Sequence, residues 1–122
     1  MDKRVYISED ERQRCQKVAD AFAELYELEH IVVMDVGRYG FVKLQYYIPE
    51  RGFENVITFT DSKSMFEDLW QEWLDTRLYL MGLDEGMDDP DYEEVYQKLP
   101  KEKQQELISR KADFAKRAGM HL

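Results

Sequence analysis

The sequence predicts an α+β domain made of an N-terminal helix, a three-stranded antiparallel sheet and two to three C-terminal helices. Three observations carry this expectation. Apolar residues recur at helical spacing up to Tyr26, three β-rich runs separated by glycine turns follow, and helical spacing returns after Asp61. With 122 residues the chain is long enough for one hydrophobic core and too short for two, so a single domain over residues 1–122 is expected.

The first helix begins behind Ser8, with Glu11 three residues later in capping-box spacing. Cys15, Val18, Ala19, Phe22, Leu25 and Tyr26 form its apolar stripe, and its end is expected near Glu29. Ile31 to Val36 is too β-branched for a helix and reads as the first strand. Gly37 and Gly40 bracket a tight turn into a second strand, Phe41 to Tyr47. Pro49 to Gly52 forms another turn, and Asn55 to Thr60 a third strand. A sheet this small needs helices against one face to be stable.

Asp61 or Ser62 caps the next helix, whose stripe holds Met65, Phe66, Leu69, Trp70, Trp73 and Leu74 and runs toward Gly82 as the expected stop. After an acidic loop, Pro90 takes the position favoured at a helix start, opening a short helix through Tyr92, Val95 and Tyr96. Beyond Pro100, the terminal helix is expected to bury Leu107, Ile108, Ala112, Ala115 and Ala118 and to close at Gly119.

The formal net charge of -9 argues against direct nucleic-acid binding, which draws its affinity from lysines and arginines on phosphates. That charge is segregated. Residues 61–97 hold two basic side chains, Lys63 and Arg77, against twelve acidic ones, whereas residues 98–117 hold seven basic against three acidic. Glu72 and Asp75 on the long helix, with Asp84, Glu85, Asp88, Asp89, Asp91, Glu93 and Glu94 beyond it, are the candidate partner-binding residues. Together with Trp70, Trp73, Tyr92 and Tyr96 they suit an arginine-rich groove, because charge steers association and aromatic contacts hold it. The plainer alternative is a solvated acidic face with the tryptophans in the core.

No catalytic, cofactor-binding or metal-binding set emerges. The acidic loop puts Gly86 at the third place from Asp84, not the sixth that a calcium loop needs. The single cysteine, Cys15, lies on an apolar stripe, and two distant histidines give no zinc spacing. One cysteine cannot form an internal disulfide, no apolar run approaches a membrane span, and Met1 to Tyr6 leads into charged residues, so a cytoplasmic location is expected.

The strand into an acidic cap (Phe59, Thr60, Asp61, Ser62), the tryptophan-bearing helix and the acidic-aromatic stretch Asp91, Tyr92, Glu93, Glu94, Val95, Tyr96 resemble the small acidic type II-A anti-CRISPR proteins over about residues 55–99. This chain departs from them in its greater length and its added basic C-terminal helix. The resemblance implies a stoichiometric inhibitor that occupies the nucleic-acid-binding surface of Cas9 with its guide RNA as a DNA mimic, carboxylates standing in for phosphates. The alternative is an intracellular accessory or immunity-type protein that meets its partner elsewhere, at the Arg38 and Tyr39 hairpin or the basic last helix.

Overall fold

The computed structural model describes residues 7–28 and 30–121, with the side chains at 47–49 outside that description. The expectations placed on Met1 to Tyr6 and on Glu29 fall outside the described residues. The architecture is α+β: α1 (Glu9–Leu25), β1 (Ile31–Asp35), β2 (Phe41–Ile48), β3 (Gly52–Phe59), α2 (Ser62–Asp84), α3 (Tyr92–Lys98) and α4 (Lys101–Arg117).

Ser8 caps α1 by accepting the Glu11 N–H at 3.2 Å. The reciprocal half of the capping box is diverted, because the Glu11 carboxylate accepts the Ser62 N–H at 2.8 Å and the Ser62 hydroxyl. One acid thus ties the first turn of α1 to the first turn of α2. The helix stops at Leu25, short of the expected end, where Tyr26 turns extended and stacks its ring on Phe22 at 5.0 Å.

The three strands form an antiparallel meander in the order β1-β2-β3. A 3₁₀ turn (Gly37–Tyr39) joins β1 to β2 and a second (Pro49–Arg51) joins β2 to β3. Gly40 has φ +100, and a Cβ there would lie 2.1 Å from the Phe59 carbonyl oxygen, so backbone conformation and close approach both require glycine.

The sheet's sidedness runs against simple hydrophobicity. Phe41, Lys43 and Gln45 of β2 point toward the helices and are 1%, 4% and 8% exposed. Lys43 Nζ donates to Asp68 Oδ1 at 2.5 Å and Glu72 Oε1 at 3.1 Å. Gln45 Nε2 donates to the same Glu72 oxygen at 2.8 Å, and Asn55 Nδ2 to Gln45 Oε1 at 2.7 Å. Burial works against the Lys43 charge, but the hydrogen bonds it donates to Asp68 and Glu72, with their negative charges, outweigh it and hold the ammonium above its usual range. Among the described residues no buried side-chain polar atom is left without a partner.

The opposite face pairs Val32 with Leu44, Met34 with Val42, Val42 with Thr58 and Tyr46 with Phe53. Met34, Tyr46, Phe53 and Val56 remain 46%, 36%, 50% and 63% exposed, so no described element covers this apolar side.

The helices close the core around Phe114 of α4, which stacks on Phe66 at 4.7 Å and approaches Phe22 and Trp70 at 6.5 Å. The expected α4 stripe is corrected in phase: Leu107, Phe114, Ala115 and Ala118 are buried, while Ile108 is 53% exposed and Ala112 is exposed. Gly82 does not end α2. It is buried inside the helix, and the left-handed residue is Gly86, where the Gly86 and Met87 N–H groups reach back to Leu83 and Gly82 carbonyls.

Candidate protein-binding surface

The acidic segment is anchored at both ends, and Met87 between them packs partly buried against the core. At its start, the hydrogen bonds around Gly86 satisfy the last carbonyls of α2 and turn the chain away from the helix axis. At its end, Pro90 is buried beside Gly82, where a Cβ on the glycine would lie 2.4 Å from the proline Cβ. Pro90 therefore precedes the cap of α3 instead of occupying the first helical position. Asp91 is the cap, its Oδ1 accepting the N–H of Glu93 at 3.0 Å and of Glu94 at 3.4 Å.

Asp84 at the end of α2, Glu85 as its C-cap, and Asp88 and Asp89 in the loop are all exposed. Among the described residues, no ion pair or side-chain hydrogen bond engages any of the four, and Asp89 adopts a left-handed φ of 46°. Asp91, Glu93 and Glu94 continue the exposed surface, with Glu94 held by Lys98 at 2.8 Å and Glu93 by Gln97 at 3.5 Å. The seven candidates from Asp84 to Glu94 thus belong to one segment.

Glu72 does not join them. It is 15% exposed, and Lys43 and Gln45 both donate to its Oε1, so it belongs to the interior of the sheet–helix contact. Asp75, one turn further along α2, is half-buried, accepts from Gln71 Nε2 at 2.7 Å, and has its pKa raised, chiefly by burial. Asp75 and Glu93 instead line a groove of about 360 Å³ between α2, α3 and α4, together with Trp70, Leu74, Tyr92 and Tyr96.

The aromatic residues divide between core and surface. Trp70 and Trp73 are each 5% exposed and stacked at 5.0 Å, and the Arg77 guanidinium lies over Trp73. Tyr92 is 44% exposed and Tyr96 half-buried. The other two surfaces weighed from the sequence have distinct environments. Arg38 stacks over Tyr39 at 5.1 Å on the exposed first hairpin. On the last helix Lys111 reaches Glu67 at 3.6 Å and Arg117 pairs with Glu24 at 2.8 Å, so part of its positive charge is already matched across elements.

Cys15 is fully buried, and burial pushes its thiol up to about 11. It is therefore protonated and walled off from solvent, the opposite of an activated nucleophile. Among the described residues no group of three or more histidine, cysteine, aspartate or glutamate side chains is placed to hold a metal ion, and no helix is long and apolar enough to cross a membrane.

The uncovered side of the sheet was missed in the sequence. Val42, Leu44 and Tyr46 do alternate with Phe41, Lys43 and Gln45, but period-two spacing does not say which set faces the helices. No protein-family model matches the chain, and comparisons with curated proteins and with solved structures give no match either.

Proposed function

We propose that this chain is a non-enzymatic protein-binding protein that presents its acidic segment to the basic, nucleic-acid-binding surface of another protein and so blocks it. The observation that carries this reading is the run of exposed carboxylates at Asp84, Glu85, Asp88 and Asp89, fixed at both ends and unmatched by cations among the described residues. With no cation paired to them among the described residues, these carboxylates would gain charge-assisted hydrogen bonds from arginines and lysines of a phosphate-binding groove. Cas9 with its guide RNA is the defined partner that the type II-A anti-CRISPR resemblance supplies.

The test is binding of immobilised protein to the Cas9–guide RNA complex at low and high salt, with wild type and the triple variant Asp84→Lys, Asp88→Lys, Asp89→Lys. Salt-sensitive binding lost in the variant supports the reading. Binding unaffected by the reversal overturns the acidic mimic, and no binding at low salt removes Cas9 as the partner.

A second reading is favoured by the apolar side of the sheet. Met34, Tyr46, Phe53 and Val56 form an uncovered patch of the kind that marks an interaction surface. Here the partner meets the uncovered side of the sheet, and the acids serve solubility. Phe53→Ser with Val56→Ser would then abolish partner capture from lysate while the acidic reversals leave it intact.

A further inference from the structure

The groove between α2, α3 and α4 combines three properties that rarely coincide on a solvated acidic face. It is of ligand-binding size, about 360 Å³. Its walls are apolar and aromatic, from Trp70, Leu74, Tyr92 and Tyr96, and it carries two carboxylates, Asp75 on α2 and Glu93 on α3. Among the described residues, the one cation lining it is Lys111, whose Nζ lies 3.6 Å from Glu67, a carboxylate outside the groove's lining. The charge presented to an occupant is therefore negative.

Burial disfavours the Asp75 charge, and the group that donates a hydrogen bond to it is a neutral amide, that of Gln71, at 2.7 Å. A carboxylate in that position gains more from an incoming cation than a fully hydrated one would, because part of its desolvation has already occurred.

We infer that this groove receives a single arginine side chain of the basic partner, its guanidinium held by Asp75 and Glu93 and flanked by the aromatic walls. This rests on the proposed binding of a basic protein and deepens it, by making the groove a point of insertion beside the acidic segment. Arginine fits better than lysine. Its planar, weakly hydrated cation stacks on aromatic faces, and its forked donors can serve two carboxylates at once, whereas an ammonium is a compact and strongly hydrated charge. The apolar lining, Leu74 included, accommodates the methylene stem.

The experiment is an amide and indole NMR titration of the full chain with a blocked tripeptide amide carrying a central arginine between two leucines. The same peptide with citrulline, and one with lysine, serve as controls. The arginine peptide is expected to shift the Trp70 indole and the backbone amides of residues 92–96. Asp75→Asn should weaken binding about tenfold, the loss of one hydrogen bond to a charged group. Glu93→Gln, on an exposed side chain where misfolding is no concern, should weaken it to a smaller extent.

Citrulline binding as well as arginine, or an arginine peptide whose shifts stay confined to residues 84–89, overturns the inference. Lysine binding equal to arginine overturns the choice of occupant. The two levels separate cleanly. Loss of Cas9 binding in the Asp84, Asp88, Asp89 reversal with a silent groove removes this inference alone, whereas a groove that binds the arginine peptide in a protein that captures no basic partner removes the blocking reading alone.

Discussion

Lys43 of the central strand lies 3.1 Å from Glu72 of the long helix, and this pair converts what the sequence offers as a surface acid into an interior contact. Their side chains are 5% and 15% exposed, and Asp68 shares the same ammonium. Removing one partner strands the others in a poorly solvated place, whereas replacing both restores balance. Lys43→Met is expected to cost about 3 kcal/mol in urea unfolding followed by circular dichroism. Lys43→Met with Glu72→Gln should recover at least half of that loss. A double variant no more stable than the single one would show that the interior contact is packing rather than charge.

Gly82 gives a test in which helix propensity and tertiary contact predict opposite signs. In a free helix, Gly→Ala stabilises by about 1 kcal/mol. Here the added methyl would meet Pro90 at 2.4 Å and the Val95 side chain at 3.1 Å. Gly82→Ala is therefore expected to destabilise, by about 1–3 kcal/mol as in other overpacked sites. A raised melting temperature would mean that the acidic segment is not braced on α2.

The caps make two neighbouring aspartates unequal. Asp91→Ala removes the acceptor for two N–H groups of α3 and should cost about 1 kcal/mol. Asp88→Ala, at an exposed position, should fall within about 0.5 kcal/mol of wild type. For this reason a charge-reversal test of binding belongs at Asp84, Asp88 and Asp89, with Asp91 left in place. Equal thermal stability of the two alanine variants would contradict the capping role.

Two carboxylates should give stability contributions of opposite pH dependence. Hydrogen bonds from the Ser62 hydroxyl and N–H hold Glu11 below the usual glutamate range. The stabilisation from Glu11 is present above the unfolded value and lost as pH falls through the lowered folded value. Asp75 has the reverse sign, because burial raises its folded value, so its contribution worsens as pH rises from the ordinary aspartate value through the raised one. Unfolding midpoints measured across the acid range should show Glu11→Gln weaker than wild type at neutral pH and converging with it in acid. Asp75→Asn should equal or exceed wild type at neutral pH and lose that advantage in acid. Parallel profiles for all three proteins would contradict both assignments.

What the sequence disclosed and what it hid follow from the range of the interactions involved. Ser8 is legible as a cap, and the second cap is narrowed to Asp61 or Ser62, of which Asp61 is the one, because a cap is settled within three residues. The three strands were legible from composition and glycine turns. The end of α2 was not, because Gly82 is held inside the helix by Pro90, a contact that local propensity does not contain. The phase of α4 was misread because Ile108 outranks its neighbours in hydrophobicity, while the deciding contact is Phe114 against Phe66 on another helix. The sequence offers nine residues for the acidic surface. Seven lie in the segment from Asp84 to Glu94, Asp75 lies in the adjoining groove, and Glu72 was misplaced because its partner Lys43 is 29 residues away.

The bare side of the sheet gives the protein's net charge a second role. Met34, Tyr46, Phe53 and Val56 present an adhesive surface that a copy of the same chain could cover, and long-range repulsion between copies carrying -9 each opposes that encounter at neutral pH. Acidification removes the repulsion while leaving the apolar surface unchanged. Variants that neutralise the acidic segment lower this repulsion, so they should be screened for clustering by light scattering before any loss of binding is attributed to the site itself.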